Sequence, residues 1–433
     1  MRCSSSLMGP VRAVTRWGTI RKGLRRLRVG VVSVMGLDDG FASSADHGVA
    51  YTQGVSILQG AHTHARRRYP MQNRSNTDSR RWCTSRRHPS RRCLLAMAAG
   101  SITALTAGLP PAPAIASRLT TFGTATWLDG QFNANPLTVD LARFRLDIEK
   151  AISPAADNTW CLAMVNAMAD TIQDSLPAFA GPVRRLSALR DFLYRPGFWN
   201  AFQPIRYDLA HALDGDPRHG FLEKLLRTRQ GNCISMPLLF VAVGHRLALP
   251  LTLAQAPQHA FAIYTDAVTG QDVPLENTVA AHPTSTASLQ RAMPMTDQAL
   301  AHGIYMTKLS HKGCLAMLSM PLLQMALLNQ KDRLAIQLAD VVLRHVPRSV
   351  DAMLAKGSAF AIRMKRDFEQ RYPNQASMPA NVRAAYEKTH RQNQHWFEQA
   401  EALGWRDPDP KAEESYRNRI RQLMAANQQE NRP

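Results

Sequence analysis

Between residues 137 and 152 the apolar side chains Leu137, Leu141, Phe144, Ile148 and Ile152 return at helical spacing behind Pro136. Such spacing lines one face of an amphipathic helix. Trp160, Met164, Val165, Met168 and Ile172 predict a second helix, stopped by Pro177. Leu186, Leu189 and Leu193 predict a third, stopped by Pro196-Gly197. A fourth is expected over His219–Arg227, with Phe221, Leu222, Leu225 and Leu226 apolar. RQGNCISMPLLFVAVGHRLALP, 229–250, then reads as a glycine turn into a strongly apolar helix ending near Leu249.

The period changes after Pro250. Leu251–Ala254 and Ala260–Tyr264 are short extended runs, 265–271 carries turn residues, and Val273–Leu275 is extended again. A hairpin or meander fits that order. Helices, one buried helix and then strands indicate an α+β architecture. Beyond about residue 300 the chain turns helical again, with helices expected near 316–328, 332–345 and 350–363. Ala335, Ala339, Leu343 and Pro347 recur every fourth position ahead of a helix containing Lys356-Gly357. Small residues there let paired helices approach closely, as in tetratricopeptide units, so Ala335 and Ala339 are expected against a neighbouring helix. A partial echo follows at 397–410, and 424–433 is a polar tail.

A hydrophobic content of 45% supports a sizeable core. The net charge of +20 suggests a nucleic-acid partner until it is located. Residues 1–116 hold 18 Lys and Arg against 4 Asp and Glu, most of the excess. A nucleic-acid-binding domain needs its basic stripe on folded surface, so no nucleic-acid partner is expected. The charge belongs to a leader. Arg91-Arg92, an apolar run from Cys93 to Leu109 and Ala114-Ile115-Ala116 follow the order of a secretory signal. The run is too short for a membrane span. Ser90–Leu95 also resembles the twin-arginine export motif, which implies a periplasmic or secreted protein cleaved near Ala116. Met71 is an alternative start. The expected organisation is a leader over 1–116, an α+β domain over 117–300 and a helical region over 301–433.

Of the six cysteines, the three after residue 117 (Cys161, Cys233 and Cys314) share no CxxC or CxxH spacing. Neither a zinc ribbon nor a disulfide scaffold is indicated, no cofactor is expected, and Cys161 and Cys314 read as core residues. Cys233 differs. It stands just after Gly231, at the start of the apolar helix, where unpaired N–H groups and the helix dipole favour a thiolate. Gly231 is expected to adopt a backbone conformation closed to other residues. His259, in the second extended run, can take up the thiol proton and return it to a leaving group. Glu276, 17 residues further on, can accept the other ring N–H, with Asp272 and Asn277 as competitors for that role. Gln203 and Asn232 are candidate oxyanion donors beside the Cys233 backbone N–H.

The Arg229-Gln-Gly-Asn-Cys233 turn, Pro257-Gln258-His259 and Leu275-Glu276-Asn277-Thr278 together resemble the transglutaminase-like superfamily. The likeness is to its bacterial branch with C-terminal tetratricopeptide-like helices. The resemblance implies a papain-like core, in which a Cys at a helix N-terminus packs on an antiparallel sheet bearing His and an acid. Gln258 departs from the glycine common at that position. Two functions follow. One is a thiol enzyme for acyl transfer or amide hydrolysis on peptide or γ-glutamyl-type substrates. The other is an inactive scaffold whose repeat-like helices bind a protein segment.

Overall fold

The computed structural model describes residues 121–407 apart from Leu137 and Asp214, with a few residues between 414 and 422. All of them belong to one unit of the chain. The expected leader, with Arg91-Arg92 and Ala114-Ile115-Ala116, and the polar tail at 424–433 lie outside the described residues.

Helix α1, Thr121–Asn133, has no counterpart in the sequence reading. Its threonines and glycines are weak helix formers. Tertiary packing supports it instead, with Leu128 and Phe132 fully buried and the Phe132 ring stacked on His345 at 4.8 Å. Helix α2, Leu141–Ile152, starts later than its apolar stripe because Asp140 caps it, accepting the Arg143 N–H at 2.8 Å. Helix α3, Asn158–Asp174, is capped in the same way by Asp157, and α4, Pro182–Tyr194, opens on a proline that fits the first helical turn.

The helix expected over His219–Arg227 divides into a 3-10 turn, Pro217–Gly220, and α5, Leu222–Thr228. The cause is a buried carboxylate from α2. Glu149 accepts the N–H groups of Leu222 at 2.6 Å and Glu223 at 3.0 Å, which sets the helix start there. The apolar helix becomes α6, Ser235–Arg246. It ends three residues before Leu249, because Ala248 adopts a left-handed φ of 53° and the Gly244 carbonyl accepts the Leu249 N–H at 2.9 Å. Met236, Leu238, Leu239, Phe240, Val241 and Val243 are all buried. Each such side chain contributes about 1.5–3 kcal/mol relative to exposure.

Strands β1, Arg206–Tyr207, and β2, Gln230–Gly231, form a short parallel pair just before Cys233. Two residues carry no readable period, so the sequence did not announce it. A four-stranded antiparallel meander follows: β3, Leu251–Ala256; β4, His259–Thr265; β5, Asp272–Glu276; and β6, His282–Pro283. Helix α6 packs on β3 and β4. Because β4 is buried along almost its whole length, it reads as a continuous apolar run without alternation.

Two short helices, α7 at Thr286–Ala292 and α8 at Asp297–Ala301, lead to α9, His311–Leu328; α10, Asp332–His345; and α11, Val350–Met364. Helix α9 begins ahead of its expected start, because Ser310 caps it through the Gly313 N–H at 3.1 Å. Ala335 and Ala339 are fully buried in α10, which packs between α9 and α11. Helix α12, Ala380–Ala402, is much longer than the echo expected at 397–410. Gly357 admits it. A Cβ there would come within 2.8 Å of the Phe397 ring, and the Gly357 carbonyl accepts from Asn393 Nδ2 at 2.7 Å. One hydrophobic core runs from Leu128 in α1 to Ile362 in α11, so the later helices share it with α2–α6. Among the described residues, no helix is long and apolar enough to cross a membrane.

Candidate active site

Cys233 closes the turn between β2 and α6. The turn is shaped by Asn232, whose side-chain oxygen accepts the N–H groups of Ile234 at 3.0 Å and Ser235 at 3.1 Å. Ser235 Oγ accepts the Asn232 N–H at 3.1 Å in return. This reciprocal cap starts α6 two residues after the cysteine and leaves Cys233 against the helix N-terminus. Gly231 serves the turn differently from its expected role. Its φ is ordinary, and what it supplies is space, since a Cβ would sit 2.3 Å from Leu225 Cδ1 and 2.9 Å from Met236 Cγ. The left-handed residue of the turn is Arg229, at φ 58°.

His259 opens β4, and Glu276 ends β5. The pairing of Ala262 with Leu275 puts Glu276 on the sheet face that carries Phe261 and, two residues earlier, His259. The His259 Nε2 lies 2.6 Å from Glu276 Oε2. The Cys233 thiol is hydrogen-bonded to the His259 ring. Thr278 holds the remaining carboxylate oxygen, donating its Oγ1–H at 2.7 Å and its N–H at 2.9 Å to Glu276 Oε1.

The electrostatics follow from that series of contacts. Burial by itself would lower the His259 pKa, but the Glu276 carboxylate and the Cys233 thiol outweigh it and push it up to about 10. Burial works against the charged Glu276 as well. The facing His259 and the two Thr278 donors reverse that and hold its carboxyl below the usual range. The pair is therefore an imidazolium–carboxylate ion pair at neutral pH. At the other two described cysteines burial disfavours the thiolate. Burial, then the nearby Glu223 and Glu149, push Cys161 up to about 12, and burial raises Cys314.

The competitors for the acidic position are separated from His259 by their partners. Asp272 is bound by Lys308 Nζ and Thr265 Oγ1, both at 2.8 Å. Asn277 is fully buried, but its Oδ1 accepts the Ala262 N–H at 2.9 Å and its Nδ2 faces Tyr194 at 3.4 Å. Thr278, quoted from sequence only as the end of the Leu275–Thr278 motif with no role given, supports the acid, and Tyr194, beside Asn277, was not singled out from sequence. Thr278 had a signal, because a hydroxyl two residues after a carboxylate favours a local side-chain turn. Gln203 is exposed, on the loop after the 3-10 turn Phe198–Asn200. Asn232 spends its oxygen on the helix cap, while its buried Nδ2 has no partner and lies against Gly220.

The sulfur does not open onto the surface: Cys233 is 0% and His259 3% exposed. The carbonyl of Gln258, in the β3–β4 turn, lies 3.9 Å from Cys233 Sγ. The arrangement can form a thiolate–imidazolium pair with an oriented ring, provided that an acyl group reaches the sulfur.

No curated protein and no solved structure matches the chain. Residues 159–276, from the first turn of α3 to Glu276, match the family model of the transglutaminase-like superfamily, and this stretch, with Cys233, His259 and Glu276 inside it, is a transglutaminase-like domain.

Proposed function

We propose that the protein is a thiol enzyme acting by acyl transfer or amide hydrolysis on peptide or γ-glutamyl-type substrates, through Cys233, His259 and Glu276. The observation that supports this is the unbroken hydrogen-bonded series from the Cys233 thiol through the His259 ring to Glu276. The thiolate attacks the substrate carbonyl carbon, and the His259 imidazolium passes its proton to the departing amine nitrogen as the C–N bond breaks. A thioester on Cys233 remains. Neutral His259 then takes a proton from water, which releases the acid, or from an amine, which forms a new amide. Glu276 keeps the ring oriented and its charged form stable throughout. The Asn232 Nδ2 and the Cys233 backbone N–H are the donors proposed for the oxyanion. The partner is a peptide or protein, not a nucleic acid. The leader motif at 90–116 would place the reaction in the periplasm or outside the cell, which N-terminal sequencing of the native protein tests by finding a start near Ser117.

The complete burial of Cys233 favours a second reading, an inactive scaffold that binds a protein segment along its repeat-like C-terminal helices. Site-resolved iodoacetamide labelling across pH separates the two. The enzyme reading expects Cys233 to label ahead of Cys161 and Cys314 near neutral pH, and more slowly after His259→Ala. Labelling of Cys233 no faster than the other two makes the scaffold the better account.

A further inference from the structure

We infer that Asp208, His211 and His219 form a binding site for one divalent transition-metal ion of the zinc class, which competes with Lys224 for the Asp208 carboxylate. The inference is independent of the acyl-transfer reading. One ligand atom from each of the three residues lies within 4.8 Å of the other two. Two imidazole nitrogens and a carboxylate oxygen are a donor set that zinc, cobalt and nickel accept, with water completing the shell.

The cluster is anchored by the backbone. Asp208 is 2% exposed, and its N–H donates to the Gly231 carbonyl at 2.7 Å beside the β1–β2 pair. Its carboxylate accepts the His211 N–H at 3.3 Å and meets His211 Nδ1 at 2.9 Å. The two imidazoles stack with centroids 4.0 Å apart and planes 18° from parallel.

Lys224 is the obstacle and also the key to the test. Its ammonium rests on Asp208 Oδ2 and lies 3.5 Å from His211 Nδ1, so it holds the place of a cation. Its side chain is 21% exposed on a flexible stem, and it can leave toward solvent when a divalent ion arrives. Arg218, next to His219 in sequence, is engaged by Asp216. The site adjoins the Cys233 turn at two points. Asp208 is bonded to Gly231, and Gly220, next to His219, carries the Asn232 amide, 3.1 Å from where its Cβ would be. An ion there ties the 208–219 segment to the residues that hold the cysteine. The sequence signal is Asp208-x-x-His211 with His219 further on, a spacing too loose to notice without the fold.

The test is cobalt(II) titration of the untagged full chain by visible absorption, with zinc competition. One cobalt per chain is expected, with d–d bands and no thiolate-to-cobalt charge transfer. His219→Ala and Asp208→Asn weaken binding at least about tenfold, as loss of one ligand should. Lys224→Met tightens it at least about tenfold, because a neighbouring positive charge is removed. A sulfur-to-cobalt band, an unchanged affinity in His219→Ala, or an unchanged affinity in Lys224→Met overturns the site, and so does absence of binding. Should Asp208→Asn fail to fold, Lys224→Met still decides, since it acts in the opposite direction.

Discussion

The Cys233 thiol sits 3.9 Å from the Gln258 carbonyl, whose own residue holds a left-handed φ of 58° in the β3–β4 turn. Glycine is the residue that takes this conformation without cost. The Gln258 carbonyl lies against the sulfur and Cys233 is fully buried, so movement of this turn is expected to open a path for a reagent. Gln258→Val puts a β-branched residue at positive φ and should destabilise the closed turn by about 1–2 kcal/mol. Alkylation of Cys233 should accelerate by roughly 5–30-fold, the population change that such an energy implies. Cys161, in α3, should be unaffected. An unchanged Cys233 rate would show that another element covers the sulfur.

The His259–Glu276 pair has a defined pH window. His259 rises from 6.5 to about 10 on folding, so its contribution is complete below 6.5 and is lost as pH climbs through about 10. Glu276 falls below its usual 4.5, so its contribution is present above 4.5 and is lost as pH drops through the folded value. The pair is strongest between those unfolded values and persists into the alkaline range. Glu276→Gln leaves a buried imidazole without its counter-charge and should cost about 3–5 kcal/mol near neutral pH. Urea denaturation from pH 5 to 10 is the measurement. The difference between wild type and variant should shrink toward pH 10, and a pH-independent difference would mean that His259 is neutral in the wild type.

The sequence carried most of this site, because its parts are local. A cysteine before an apolar helix, a histidine opening a strand and an acid 17 residues later survive translation into three dimensions. What escaped was non-local. The start of α5 is set by Glu149, far back in the chain, and α1 is stable only because Leu128 and Phe132 find a surface. Gly231 was assigned the wrong reason, since a glycine needed for space and one needed for φ look identical in a sequence. The contact of the Gln258 carbonyl with the buried Cys233 sulfur is another feature that no spacing encodes.

The α9–α11 helices give a packing test. Ala339 is fully buried in α10, between two neighbouring helices. Ala339→Leu overfills that contact and should cost about 1–3 kcal/mol. Thermal denaturation should show a lower Tm, whereas Ala339→Gly should instead weaken the helix by about 1 kcal/mol through propensity. An unchanged Tm in the leucine variant would mean that α10 presents this face to solvent.

The buried Arg145–Glu149 pair ties α2 to Gly220, to the start of α5 and to α9. Arg145 Nε meets Glu149 Oε1 at 2.7 Å, and its other nitrogens donate to the carbonyls of Gly220 at 2.7 Å and Leu318, in α9, at 3.4 Å. Burial keeps the Glu149 pKa above its ordinary value even with Arg145 beside it. Arg145→Met removes the counter-charge and should cost about 3–5 kcal/mol. The sign with pH follows from the raised carboxyl. A folded state that holds its proton more tightly than the unfolded one loses stability as pH rises above 4.5, so the Arg145→Met deficit should be largest near neutral pH and smaller toward pH 4.5. Adding Glu149→Gln removes the stranded charge and keeps one of the two oxygens that accept the Leu222 and Glu223 N–H groups. The double variant should therefore lose less than the sum of the two single losses, by about 0.5–3 kcal/mol of coupling. A double-mutant cycle in urea reads this directly. Additive losses would mean that the two side chains act separately, Arg145 on the Gly220 and Leu318 carbonyls and Glu149 on the α5 cap.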